Sequence, residues 1–100
     1  MDSSLFRLGD IVATSAALLA LEGNHDSPEW EGWQLLDRHS SGDWGEVSEA
    51  NARENDLSVE LGFRILSAYT SRGGQRVWII TTKDRNITMM LLPDEYLRGD

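Results

Sequence analysis

The chain has 100 residues, 40% of them hydrophobic and 26% charged, no cysteine, and a net charge of −8. That length suits one domain with a single core that needs neither metal nor disulfide to fold, and the composition is too apolar for disorder. The lack of cysteine excludes a disulfide framework and a thiolate metal site, and the longest apolar stretch, 16–21, is far short of the roughly 20 residues a membrane-spanning helix needs. The charge is split by position. Residues 1–60 hold thirteen acids against three bases and residues 61–100 four acids against six bases, so the halves carry −10 and +2.

In chain order, Ile11-Val12-Ala13 reads as a short strand or an extended lead-in. Thr14 or Ser15 then caps a helix running through Glu22 and stopped by Gly23. Ser27-Pro28 reads as the N-cap and first residue of a second helix reaching about His39. Glu29 and Glu31 favour its N-terminus, and Gly32 weakens its first turn. Ser40–Gly45 is a breaker. Ser48 caps a third helix that runs to about Leu61 and ends at Gly62. On a helical wheel Val47, Ala50, Leu57 and Leu61 gather on one side. Glu54 falls inside that arc, where it either snorkels or pairs with an arginine of the sheet; Glu49, Arg53, Asp56 and Glu60 fall outside it. Glu49 and Arg53 are spaced to pair at the surface.

Beyond Gly62 the hydrophobic period changes from 3.6 to 2. Phe63–Thr70 and Arg76–Thr82 read as strands joined by a Gly73-Gly74 hairpin, and Lys83–Asn86 turns into a third strand, Ile87–Leu92. Pro93 ends the pairing, and residues 94–100 form a short tail or a helical turn. This pattern predicts a single α+β domain over 1–100: about three N-terminal helices (14–61) packed on a three-stranded antiparallel meander (63–92). Phe63, Ile65, Tyr69, Val77, Ile79, Ile87, Met89 and Leu91 alternate with Leu66, Ala68, Trp78, Ile80, Met90 and Leu92, so both sheet faces are partly apolar. The second face is either covered by the N-terminal segment and the tail or is an open patch around Trp78, Ile80 and Met90 that binds a partner or a second copy.

Several blocks carry a resemblance: Leu8–Thr14, Arg38-His39-Ser40-Ser41-Gly42-Asp43-Trp44-Gly45, Leu66–Tyr69, Val77–Thr88 and Leu91-Leu92-Pro93-Asp94-Glu95-Tyr96. Over most of its length the chain resembles a family of small bacterial proteins carried on plasmids, phages and other mobile elements. It departs from that pattern at Ser15-Ala16, where similar sequences have Pro-Gly, and at Met89 or Met90, where they have threonine. The resemblance implies a bacterial host cytoplasm and a gene that travels with mobile DNA. Small acidic proteins in that setting often act as anti-defence factors, anti-CRISPR proteins among them. No catalytic or binding residue comes with it.

No chemistry-bearing motif stands out. His25 and His39 have no ligand partner at helical spacing, and no metal or cofactor is expected. A nucleophile elbow and a phosphate-cradling glycine loop are both absent. Metal-free RNA cleavage needs a base, an acid and a cation, which His39, Glu54 and Arg85 could supply in a barnase-like helix-then-sheet layout. The structural alternatives are a locally bonded His39 at a helix C-terminus and Arg85 as a turn residue. Asp43-Trp44 is the most distinctive local pair, with Asp43 capping a turn and Trp44 plugging the helix–sheet junction. The acidic half points to binding: carboxylates along helices imitate nucleic-acid phosphates and fit a basic surface. The expectation is therefore a non-enzymatic inhibitor of a host defence complex, CRISPR-type by the resemblance. Its partner would be a basic surface of a protein or ribonucleoprotein rather than nucleic acid or membrane, met as a monomer or homodimer. The residues expected to bind are Asp43, Glu46, Glu49, Asp56 and Glu60, then Glu29, Glu31 and Asp37, with Trp78 and Met90 as an apolar anchor.

Overall fold

The computed structural model describes residues 4–97. The elements run β1 (Asp10–Ala13), α1 (Ser15–Ala20), α2 (Glu31–Ser40), α3 (Glu49–Leu61), β2 (Ile65–Thr70), β3 (Arg76–Thr81), β4 (Ile87–Leu91) and α4 (Pro93–Leu97). The α+β class and the order of helices before the main sheet match the expectation. The sheet itself is four-stranded and mixed, in the order β1-β4-β3-β2, rather than a three-stranded meander. The first strand joins because β1 lies parallel to β4, with hydrogen bonds from Asp10 N–H to the Asn86 carbonyl (2.8 Å) and from Thr14 N–H to the Met90 carbonyl (3.0 Å). Gly9 makes that approach possible: its φ is +67°, and a Cβ there would stand 2.3 Å from the Asn86 carbonyl oxygen.

Helix boundaries follow the caps. Thr14 Oγ1 accepts from Ala17 N–H and starts α1. Ser48 Oγ accepts from Asn51 N–H and starts α3, which ends at Gly62 in the left-handed region (φ 79°). Helix α2 starts at Glu31, later than the Ser27-Pro28 signal indicates. Residues 24–30 instead form two successive turns, Ser27 N–H to Asn24 O and Trp30 N–H to Ser27 O, which fold the Trp30 ring into the core. That ring lies over Gly32, where a Cβ would fall 2.4 Å from it. The expected turn over 94–100 is α4; residues 98–100, like 1–3, lie outside the described residues.

Core packing sits on one sheet face. Ala17, Ala20 and Leu21 from around α1, with Trp30, Leu35 and Leu36 from around α2, cover Tyr69, Val77, Ile79 and Met90. Met90 is fully buried, which corrects its assignment to an open second face. The register across the β3–β4 turn is the reason: it pairs odd positions with even ones, so Met90 lies opposite Ile79 and Met89 opposite Ile80. Trp78 does lie on the second face, but it is half-buried beneath the α4 ring of Tyr96, 5.5 Å away edge-on. What stays exposed there is Val12, Ile87 and Met89 near the β1 edge. Among the described residues no helix is long and apolar enough to cross a membrane.

Substituting Gly9→Ala should lower stability by about 2 kcal/mol, because the added Cβ meets backbone at an already left-handed φ. Gly62→Ala, with open space around it, should cost only about 1 kcal/mol. Urea unfolding checks both, and amide exchange should quicken across β1 in the first variant alone.

Candidate binding surface

Helix α3 is mounted with its apolar side outward. The wheel places Leu57 and Leu61 on a core-facing arc, yet they are 56% and 61% exposed, while Asn55 and Ser58 are the buried residues of the helix. Polar contacts set this orientation. The Asn55 carboxamide donates from Nδ2 to the Leu66 carbonyl (2.8 Å) and accepts from Leu66 N–H at Oδ1 (3.2 Å). It thereby stands in for a neighbouring strand at the outer edge of β2. Next along that edge, Ala68 N–H donates to Trp44 O (3.2 Å) and Glu46 N–H to Ala68 O (2.7 Å). Asp56 Oδ1 accepts from the indole N–H of buried Trp44 (2.9 Å). Arg85, the one described non-glycine residue at positive φ (63°), donates to the Ser58 carbonyl (2.7 Å) and to those of Phe63 and Thr82 (2.8 and 2.9 Å).

The outward side of α3 carries Glu49, Arg53, Glu54, Leu57, Glu60 and Leu61, all exposed. Beside it runs a groove of about 450 Å³ whose lining is mixed: Leu57, Leu61, Phe63 and Leu66 are apolar, Asn51, Asn55 and Ser58 polar, and Glu54 and Arg64 charged. Phe63 is 59% exposed. Arg64 is drawn aside, donating to the Tyr96 hydroxyl at 2.7 Å. Among the described residues Glu49, Glu54 and Glu60 make no ion pair, and the i, i+4 pairing of Glu49 with Arg53 does not form. Glu54 therefore stays on the surface and does not join a sheet arginine.

The other acids singled out from sequence divide into engaged and free. Asp43 accepts from Arg38 Nε at 2.7 Å and from Gly45 N–H at 3.2 Å; the Arg38 hydrogen bond holds its carboxyl below the usual range. Glu46 accepts from the Thr70 hydroxyl (2.8 Å) and faces Arg76 at 3.7 Å. Glu31 is buried, which corrects its place among outward carboxylates: it accepts Glu22 N–H (2.9 Å) and Arg72 N–H (2.7 Å), pinning the start of α2 to the β2–β3 hairpin. Glu29 is exposed and holds the Ser27 hydroxyl, and Asp37 is exposed on α2.

His39 is fully buried and takes part in a directed chain of hydrogen bonds. The Thr88 hydroxyl donates to Leu8 O (2.7 Å), so its oxygen accepts from the Thr81 hydroxyl (2.7 Å). Thr81 in turn accepts from His39 Nε2–H (2.9 Å), which leaves Nδ1 to accept from Ser67 (2.6 Å). Each hydroxyl donates once, and the imidazole is the neutral Nε2–H tautomer. Burial, then the nearby charge of Arg85, pushes its pKa down to about 3. Glu54 on the α3 surface, His39 in the core and Arg85 on backbone carbonyls do not share one cleft. Among the described residues no three His, Asp or Glu side chains gather closely enough to hold a metal ion.

Asn55, Ser58, Leu57 and Phe63 were not among the candidates from sequence. Their one signal is that the polar side of α3 also has helical spacing, at 51, 55 and 58, and a wheel alone does not say which side faces the sheet. Compared with family models, curated proteins and solved structures, the chain has no match in any of the three.

Asn55→Ala should cost about 2 kcal/mol, because it leaves the half-buried Leu66 N–H and carbonyl without their partner, and should speed amide exchange in α3; urea unfolding and exchange measure both. For His39 the neutral fold binds fewer protons than the unfolded chain between pH 6.5 and 3. Its contribution is complete above pH 6.5 and is lost as pH falls toward 3. An NMR titration should find this ring neutral down to pH 4, whereas a midpoint near 6.5 would mean that it is not sealed from water.

Proposed function

We propose that this protein is a non-enzymatic binding protein that lays its acidic helical surface on a basic surface of a protein or ribonucleoprotein. The observation that carries this reading is the outward side of α3, where Glu49, Glu54 and Glu60 stand exposed and without ion pairs among the described residues. Carboxylates already neutralised by an internal partner add little to association, whereas unpaired ones steer a cationic partner and fix its register. Asp43 and Glu46 are thus secondary contributors, and Glu31 belongs to the interior. The mobile-element context implied by the resemblance makes the nucleic-acid channel of a CRISPR-type defence complex the first target to test. Such a channel is basic because it grips phosphate, and it is the natural counterpart of this surface.

The triple variant Glu49→Lys/Glu54→Lys/Glu60→Lys moves the net charge from −8 to −2 at exposed positions. Expressed in a phage-immune host, the wild-type protein should restore phage plating and the variant should not. In a competition assay with the guide-loaded effector, inhibition should weaken by about tenfold between low and physiological salt. Undiminished inhibition by the variant, or inhibition insensitive to salt, would contradict an electrostatic contact.

A further inference from the structure

The α3 groove sets exposed apolar side chains beside the polar Asn51, Asn55 and Ser58, with Glu54 as its acid and Arg64 as its base, and lies beside a strand edge that is already closed. Leu57, Leu61 and Phe63 are each more than half exposed and line one channel with Leu66. At Leu66 both backbone groups are held by Asn55, and at Ala68 by Trp44 and Glu46. An extended peptide added to β2 would find no ladder partner at either position, so β-augmentation is blocked there. A helix satisfies its own backbone and needs only apolar contact and matching charge. The thirteen residues of α3 extend about 20 Å, room for three to four turns alongside. Of the four acids of the helix, Asp56 is held by the Trp44 indole and Glu54 lines the groove, while Glu49 and Glu60 stand exposed on the outward side with Leu57; the bases are Arg53 on the helix and Arg64 across the groove, which donates to the Tyr96 hydroxyl.

Resting on the acidic-surface reading above, we propose that this groove seats a basic amphipathic helix of the partner. Its apolar residues at i, i+3, i+4 and i+7 would pack on Leu57, Leu61 and Phe63, and its lysines or arginines would face Glu54 of the groove and Glu60 on the outward side of α3. The apolar contacts set how long the complex lasts, and the rim charges set the encounter rate and the register.

The test uses a fluorescein-labelled 14-residue leucine–lysine peptide with leucines at helical spacing, and a scrambled peptide of the same composition. Anisotropy titration should give affinity at least about tenfold tighter for the amphipathic peptide, and amide shifts should concentrate in residues 51–66. Leu57→Ser/Phe63→Ser, both at exposed positions, should weaken it by about tenfold with the circular dichroism spectrum unchanged. Equal binding of the scrambled peptide, or no loss in the apolar variant, overturns the proposal. So does a dimer in light scattering that the apolar variant abolishes, since a second copy is then the occupant. The two readings fail separately. If charge reversal abolishes binding while the apolar substitutions do nothing, the acidic-surface reading stands and the helix seat falls. If charge reversal leaves binding intact and salt-independent, the acidic-surface reading falls.

Discussion

The carboxamide of Asn55 decides which side of α3 meets the sheet, and much of the molecule's outward character follows from that. A buried primary amide must satisfy both its donor and its acceptor, and the backbone of an edge strand offers the matching pair. Once Asn55 is bonded to Leu66 N–H and C=O, the rotation of α3 about its axis is fixed. Ser58 follows it inward, and Leu57, Leu61 and the carboxylates turn outward. The same contact closes the β2 edge together with the Trp44–Glu46 segment, so a strand that would otherwise be open to pairing is protected. Two hydrogen bonds contribute only about 2 kcal/mol net, but leaving either backbone group buried and unpaired costs as much again.

A second polar device holds the layers in place. The hydroxyls of Ser67, Thr81 and Thr88 project from three adjacent strands onto the helix-covered face, and His39 of α2 spans two of them. Because the chain ends on the Leu8 carbonyl, it also anchors the segment that leads into β1. Phe6 and Trp44 close over the ring at 5.3 and 6.1 Å, excluding water and holding the imidazole neutral. A histidine so enclosed, with both nitrogens engaged, serves packing specificity; solvent proton exchange would require the site to open.

Where local chemistry decides structure, the sequence was readable. The Thr14 and Ser48 caps, the Gly62 stop, the hairpin at Gly73-Gly74 and the change of period after residue 62 each involve neighbouring residues, and each lies close to where it was expected. The expectations that failed depend on contacts distant in sequence. Parallel pairing of β1 with β4 spans 77 positions (Asp10 to Ile87), and no local pattern encodes it. The burial of Met90 turned on the register across the β3–β4 turn, which sets strand parity. Glu31 looked like an N-terminal helix acid, but the hairpin amide it binds lies 41 residues away. The orientation of α3 was least legible, because its apolar arc and its buried polar line have the same period. Of the candidate binding acids, Glu49 and Glu60 stand exposed as expected, whereas the groove between Leu57 and Phe63 emerged only from the fold.

The charge division between the halves of the chain takes a more local form in three dimensions. Several acids of the first sixty residues are spent internally, on Arg38, Thr70, Trp44 or backbone amides, and the unpaired remainder concentrates on α3 beside exposed leucines. The exposed acidic surface and the groove beside it both depend on the outward mounting of that helix. Solvent paramagnetic relaxation of the leucine methyl groups, with an uncharged soluble gadolinium chelate, tests it most directly. The Leu57 and Leu61 methyls should broaden strongly while those of Leu35 and Leu36 remain sharp; protection of Leu57 and Leu61 to the level of Leu36 would mean that α3 faces the sheet with its apolar side, and the groove beside it would not exist.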